Sequence, residues 1–128
     1  MTEDATVAAV GKLTEALETI EIARGHLYSF HKLTGQADFA AEEAADLLAK
    51  AGHTDLAERV KTELVGRNVL PGRWTFQVIE DYEETYYEPF RRLEQNVRAL
   101  TGGERHLHEA GLKARRRTRG EPGHEATP

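Results

Sequence analysis

Two apolar repeats in this chain are interrupted by polar residues, and these interruptions are the first candidates for chemistry. Val10, Leu13, Leu17, Ile20, Arg24, Leu27 and His31 recur in three- and four-residue steps, which places them on one face of a helix. Ile79, Glu83, Tyr86, Phe90, Leu93, Val97 and Leu100 form a second such face. If the two helices run antiparallel, Arg24 and His31 come close to Tyr82, Glu83 and Tyr86. A cation, an imidazole, a carboxylate and phenols in one half of a bundle suit a small anion, a polar ligand or, through His31 and Glu83, a metal ion. The same residues also suit an internal Arg24–Glu83 ion pair, with His31 satisfied by a Tyr hydroxyl. Both readings are open at this level.

Other spacings limit the chemistry further. A carboxylate-bridged di-metal centre needs Glu-x-x-His on two helices, and that motif does not occur. His26 and His31 are five apart and diverge around a helix. His106-Leu107-His108, flanked by Glu104 and Glu109, places its histidines two apart, where helical side chains do not meet; it reads as solvated surface. The phosphate-binding glycine loops, the serine-hydrolase elbow and the His-Glu-x-x-His zinc motif are all missing. The chain has no cysteine, which removes disulfides and thiolate chemistry. No cofactor is predicted, and the expectation leans towards a non-enzymatic protein.

Six of the aromatics, Trp74, Phe76, Tyr82, Tyr86, Tyr87 and Phe90, fall between 74 and 90, in and around the acidic stretch Glu80 to Glu88. Tyr and Trp join apolar area to a polar tip, which suits interfaces. Trp74, Tyr82, Tyr86, Tyr87 and Phe90 are therefore candidates for contact with a protein partner or a second copy, with Tyr87 on the acidic side of the helix. The alternative is a core seam with an acidic back. The loop Arg67-Asn68-Val69-Leu70-Pro71-Gly72-Arg73-Trp74 offers a ligand edge, or else folds Val69, Leu70 and Trp74 over one end of the bundle.

The elements that must position these residues are helical. Net charge is −5 and 30% of residues are charged, values of a folded, water-exposed domain. The first helix is expected over Asp4 to Leu33, stopped at Thr34-Gly35. Asp38 then caps a helix from Phe39 to Ala51, with Ala40, Ala44, Leu47, Leu48 and Ala51 inward. Thr54 caps another to about Val65, with Leu56, Val60 and Leu64 inward. Thr75 caps a second long helix, bent at Pro89 and ended by Gly102-Gly103. A last helix, about Glu104 to Arg117, has little to bury. The fold expected is all-α: an antiparallel helical bundle of two long helices and a short helical hairpin, plus a weak C-terminal helix. One domain spans 1–117, and 118–128 form a flexible tail.

Charge divides along the chain: residues 1–100 hold eleven basic against eighteen acidic residues, and residues 101–128 hold six against four. An acidic body argues against nucleic acid; Arg115, Arg116, Arg117 and Arg119 offer only a short basic run. No apolar run reaches the ~20 residues that span a bilayer, and Met-Thr-Glu-Asp-Ala does not begin a secretory signal. A cytoplasmic protein, homo-oligomeric or bound to a protein partner, is expected.

The run from Gly66 to Gln77 (Gly-Arg-Asn-Val-Leu-Pro-Gly-Arg-Trp-Thr-Phe-Gln), the segment Asp81 to Tyr87 and the segment Ala23 to His31 (Ala-Arg-Gly-His-Leu-Tyr-Ser-Phe-His) resemble uncharacterised actinobacterial helical proteins over most of the chain. That resemblance implies a bacterial, cytoplasmic protein and carries no functional residues with it.

Overall fold

A computed structural model describes residues 2–126 of the chain. The protein is all-α, as expected. Its helices are α1 (Thr2–Lys50), α2 (Thr54–Glu63), α3 (Thr75–Tyr82), α4 (Glu88–Arg98) and α5 (Leu107–Arg116). A π turn, Glu83–Tyr87, joins α3 to α4, and a 3-10 turn, Ala99–Thr101, follows α4. No strand forms among the described residues; a lone bridge joins Leu70 to Arg73. Packing divides the chain into two compact units, 22–85 and 1–21 with 86–128.

The expected break at Thr34-Gly35 does not occur: α1 runs through it without interruption. Gly35 inside a helix costs only about 1 kcal/mol relative to Ala, and no proline enforces a stop. The inward stripe also stays in register. Leu27, His31, Thr34, Asp38, Ala41, Ala45 and Leu48 are buried or half-buried at alternating four- and three-residue steps. Asp38 is not an N-cap; its Oδ1 accepts the Gly66 N–H at 2.8 Å. The inward face of the Phe39–Ala51 segment is therefore rotated from the one expected. Ala45 is fully buried and Leu48 half-buried, while Ala40, Ala44, Leu47 and Ala51 face solvent.

In the unit formed by 22–85, α2 and α3 run back along α1. Asp46 pairs with Lys61, Asp38 meets Gly66, His31 meets Thr75 and Arg24 meets Glu83. As the α1 number falls the partner's rises, which is an antiparallel arrangement. The residue that α2 buries is Ala57; Val60 is half-buried, and Leu56 and Leu64 are exposed. Thr54 begins α2 without capping it, since no side chain bonds that end. Between α2 and α3, Arg73 N–H bonds Leu70 O at 2.9 Å across Pro71-Gly72. The positive φ of 69° at Gly72 is the conformation such a turn demands and that glycine adopts without strain. The α3 start is closed by Gln77, whose Oε1 accepts the Trp74 N–H at 2.8 Å, and not by Thr75.

In the other unit, α1 meets α4 through Thr14 and Glu94 and α5 through Gly11 and His108. Pro89 is the second residue of α4, where a missing N–H costs nothing. It cannot donate to the Thr85 carbonyl as an uninterrupted α-helix would require, and the π turn immediately precedes it. A π turn inserts one residue, so the inward positions slip by one. Tyr87 and Glu94 are buried, while Tyr86, Leu93 and Leu100 of the expected seam are exposed. Beyond the Gly102 cap, α5 returns to α1 at Gly11. A Cβ on Gly11 would lie 2.6 Å from the His108 Cβ, so only glycine permits this approach. Leu107, Gly111 and Arg117 are the half-buried positions around α5; Ala110 and Ala114 are exposed. Residues 118–125 fold into turns held by Glu121 N–H to Thr118 O and His124 N–H to Glu121 O. The rest of the expected tail, residues 127 and 128, lies outside the described residues.

Candidate functional site

The polar cluster expected in the 22–85 unit is assembled in part. Arg24 donates from Nε and Nη2 to Glu83 Oε1 at 3.0 and 2.8 Å, and the Tyr28 hydroxyl donates to the same oxygen at 3.1 Å. The guanidinium also sits 5.4 Å from the centre of the Tyr28 ring, within cation–π range. Both members of the ion pair keep about a third of their side-chain surface exposed (33% and 29%), so solvent screens the pair. His31 is engaged elsewhere: its Nδ1 lies 2.6 Å from Thr75 Oγ1, and its ring meets Phe76 edge-on at 5.6 Å. The two metal candidates thus have separate commitments, His31 to a hydroxyl and Glu83 to Arg24 and Tyr28. Tyr82 is half-buried in this unit. Tyr86 belongs to the other unit, where its ring lies 5.8 Å from Phe90.

The more enclosed polar constellation lies in the 1–21/86–128 unit, at residues whose chemistry the spacing did not reveal. Thr14 donates its hydroxyl to Glu94 Oε2 at 2.8 Å, and Arg98 Nε donates to the same oxygen at 3.2 Å. Glu94 is 3% exposed and Thr14 7%. Arg98 reaches onward to the Gly103 carbonyl at 3.0 Å, tying the end of α4 to the turn beyond it. Charge taken out of water in this way is tolerated only because it is paired and hydrogen-bonded. The triad lines one side of a cleft of about 250 Å³. Leu17, Glu18 and Glu21 of α1 form a second wall, and Arg91, Gln95, Arg105 and His106 complete it. Periodicity missed Glu94 because the π turn shifts the inward face of α4 by one residue. The one signal for it was the four-residue spacing of Glu94 and Arg98.

The surface candidates separate by exposure. Trp74 is 67% exposed and Tyr86 49%, while Phe90 and Tyr82 are half-buried. Tyr87, expected on the acidic outer side, is buried instead as a consequence of the π turn. Val69, Leu70 and Trp74 are all exposed, and Val69 lines a groove with Thr34, Ala37, Ala41 and Leu64. Of the basic run, Arg115, Arg116 and Arg119 are exposed, and Arg117 turns back to donate to the His124 carbonyl at 3.0 Å.

A further face emerges on α1 opposite the packed one. Ile22, His26, Ser29, Leu33, Ala37, Ala40, Ala44, Leu47 and Ala51 are all exposed. They share one side of the helix and its end by three- and four-residue steps. None of the nine carries a carboxylate, a guanidinium or an ammonium, in a chain where 30% of residues are charged.

No family model, curated protein or solved structure matches the chain. No helix is long and apolar enough to cross a membrane among the described residues.

Proposed function

We propose that this is a non-enzymatic helical protein that works through protein contacts, in the first place with a second copy of itself, in the bacterial cytoplasm. The observation that carries this reading is the apolar surface left open on the single chain. Among the described residues the buried apolar side chains are Val10, Ala45, Ala57, Ile79 and Tyr87, while large ones such as Ile22, Leu33, Leu47, Leu93 and Leu100 are mostly exposed. A stable dimer needs only about 800 Å² from each partner.

The uncharged strip of α1 is the surface that best fits a second copy. It lies wholly within the 22–85 unit, so one compact body carries it. Ala37, Ala40 and Ala44 permit close helix approach, and Leu33 and Leu47 provide apolar area on either side of them. A two-fold contact requires a patch that complements itself, and a strip without charge meets its own copy without like-charge repulsion. Trp74, 67% exposed, adds an aromatic surface outside the strip.

Light scattering coupled to size exclusion at micromolar concentration tests this reading. A dimer or larger assembly is expected for the native chain, and monomer for Leu33→Glu and Leu47→Glu with helicity unchanged. A native chain that is strictly monomeric at tens of micromolar overturns it.

A further inference from the structure

Three potential metal ligands meet in the 1–21/86–128 unit, and they come from two distant parts of the chain. Glu18 of α1, and His106 and Glu109 at the start of α5, each bring one ligand atom to within 4.8 Å of the others. His106 and Glu109 alone would be an ordinary pair three residues apart. Glu18 is the addition that only the folding of α5 onto α1 supplies, through the close approach at Gly11. Among the described residues this is the one such group of three.

The separations suit an ion between the groups better than direct bonds among them. His106 Nδ1 lies 3.9 Å from Glu109 Oε2, too far for a hydrogen bond. It is close to the roughly 3.3–3.5 Å that separates neighbouring ligands around a tetrahedral zinc with bonds of about 2.0–2.2 Å. All three side chains are exposed, so small rotations close the remaining gap.

Two further features act at the same place. His106 has a φ of 63°, the one positive value at a non-glycine residue among those described. It is the residue that precedes α5, and Glu109 follows in the first turn of that helix. Glu18 and His106 are also wall residues of the 250 Å³ cleft, which brings Arg91 and Arg105 to its lining. Two carboxylates and an imidazole balance a divalent ion and combine hard oxygen with borderline nitrogen, a set suited to zinc and its first-row neighbours. Three protein ligands leave a coordination position free for water or a small anion.

We propose that Glu18, His106 and Glu109 bind one divalent transition-metal ion, zinc in preference to magnesium, at the edge of this cleft. The proposal stands independently of self-association. It is tested by calorimetric titration of untagged, chelator-stripped protein with Zn²⁺, with Mg²⁺ as the contrast. One equivalent of Zn²⁺ is expected to bind at micromolar concentrations, and Mg²⁺ at least tenfold more weakly. Glu18→Gln and His106→Gly should each weaken Zn²⁺ binding at least tenfold, and His53→Ala, in the other unit, should leave it unchanged. His106→Gly suits the left-handed backbone, so its helicity should match the native chain. If it does not fold, Glu18→Gln decides, because that residue is exposed. Absence of Zn²⁺ binding, or binding that Glu18→Gln leaves intact, overturns the site.

Discussion

Glu83 and Glu94 each accept an arginine, and their surroundings make them unequal. Glu83 holds Arg24 where about a third of each side chain still meets water. Glu94 holds Arg98 and Thr14 where its own side chain is 3% exposed and that of Arg98 is 12%. Removing Glu94 leaves a largely buried guanidinium without its counter-ion, a change worth about 3–5 kcal/mol. Removing Glu83 leaves Arg24 partly solvated and should cost about 1 kcal/mol or less. Urea unfolding of Glu94→Ala and Glu83→Ala therefore should give a larger loss for the former. Equal losses would mean that Glu94 is not the buried partner described. The sequence pointed to Glu83 through its break in an apolar repeat. It passed over Glu94, because the repeat as read put Leu93 inward in its place.

At the level of elements, the π turn Glu83–Tyr87 explains that error. One additional residue before Pro89 rotates everything after it by about 100° relative to an unbroken α-helix. Tyr87 then replaces Tyr86, and Glu94 replaces Leu93, on the inner face. The prediction is that deleting Thr85, an exposed residue of the turn, restores a plain α-helix and keeps Tyr87, Phe90 and Glu94 in phase with Ile79 and Glu83. Circular dichroism should record full helicity, with Tm within a few degrees of the native value. Inserting one alanine at the same place adds a second out-of-phase residue and should lower Tm sharply. If deletion is as damaging as insertion, the π turn is not a one-residue insertion. Element existence was legible from periodicity, and so were the ends of α2 and α4. The continuity of α1 was not, because Thr34 and Asp38 occupy its inner face as polar residues and gave the appearance of a stop.

For the whole molecule the dominant feature is exposed apolar surface on a chain with few fully buried side chains. Folding in isolation then yields little hydrophobic stabilisation, and association should contribute a large part of the total. Stability linked to association depends on concentration. Each tenfold increase should stabilise the assembly by about 1.4 kcal/mol, a shift of a few degrees in Tm. Thermal unfolding across a hundredfold concentration range should show this for the native chain and lose it for Leu33→Glu. A Tm independent of concentration in the native chain would place its stability within the single protomer.

The sequence by itself determined that the chain is helical and roughly where most helices lie, and it singled out Arg24 and Glu83 as neighbours if their helices run antiparallel. Those conclusions depend on local periodicity, turn residues and the antiparallel return of one long helix along another. Tertiary structure alone decided which of two adjacent apolar faces turns inward, because a single inserted residue in a π turn rotates the face without changing the composition that marks it. It alone brought Glu18 to His106 and Glu109, since that meeting depends on α5 docking where Gly11 carries no side chain. And it alone revealed that Ala40, Ala44 and Leu47, which read as core, form an open face: an apolar strip looks the same in sequence whether its partner lies in the same chain or in another.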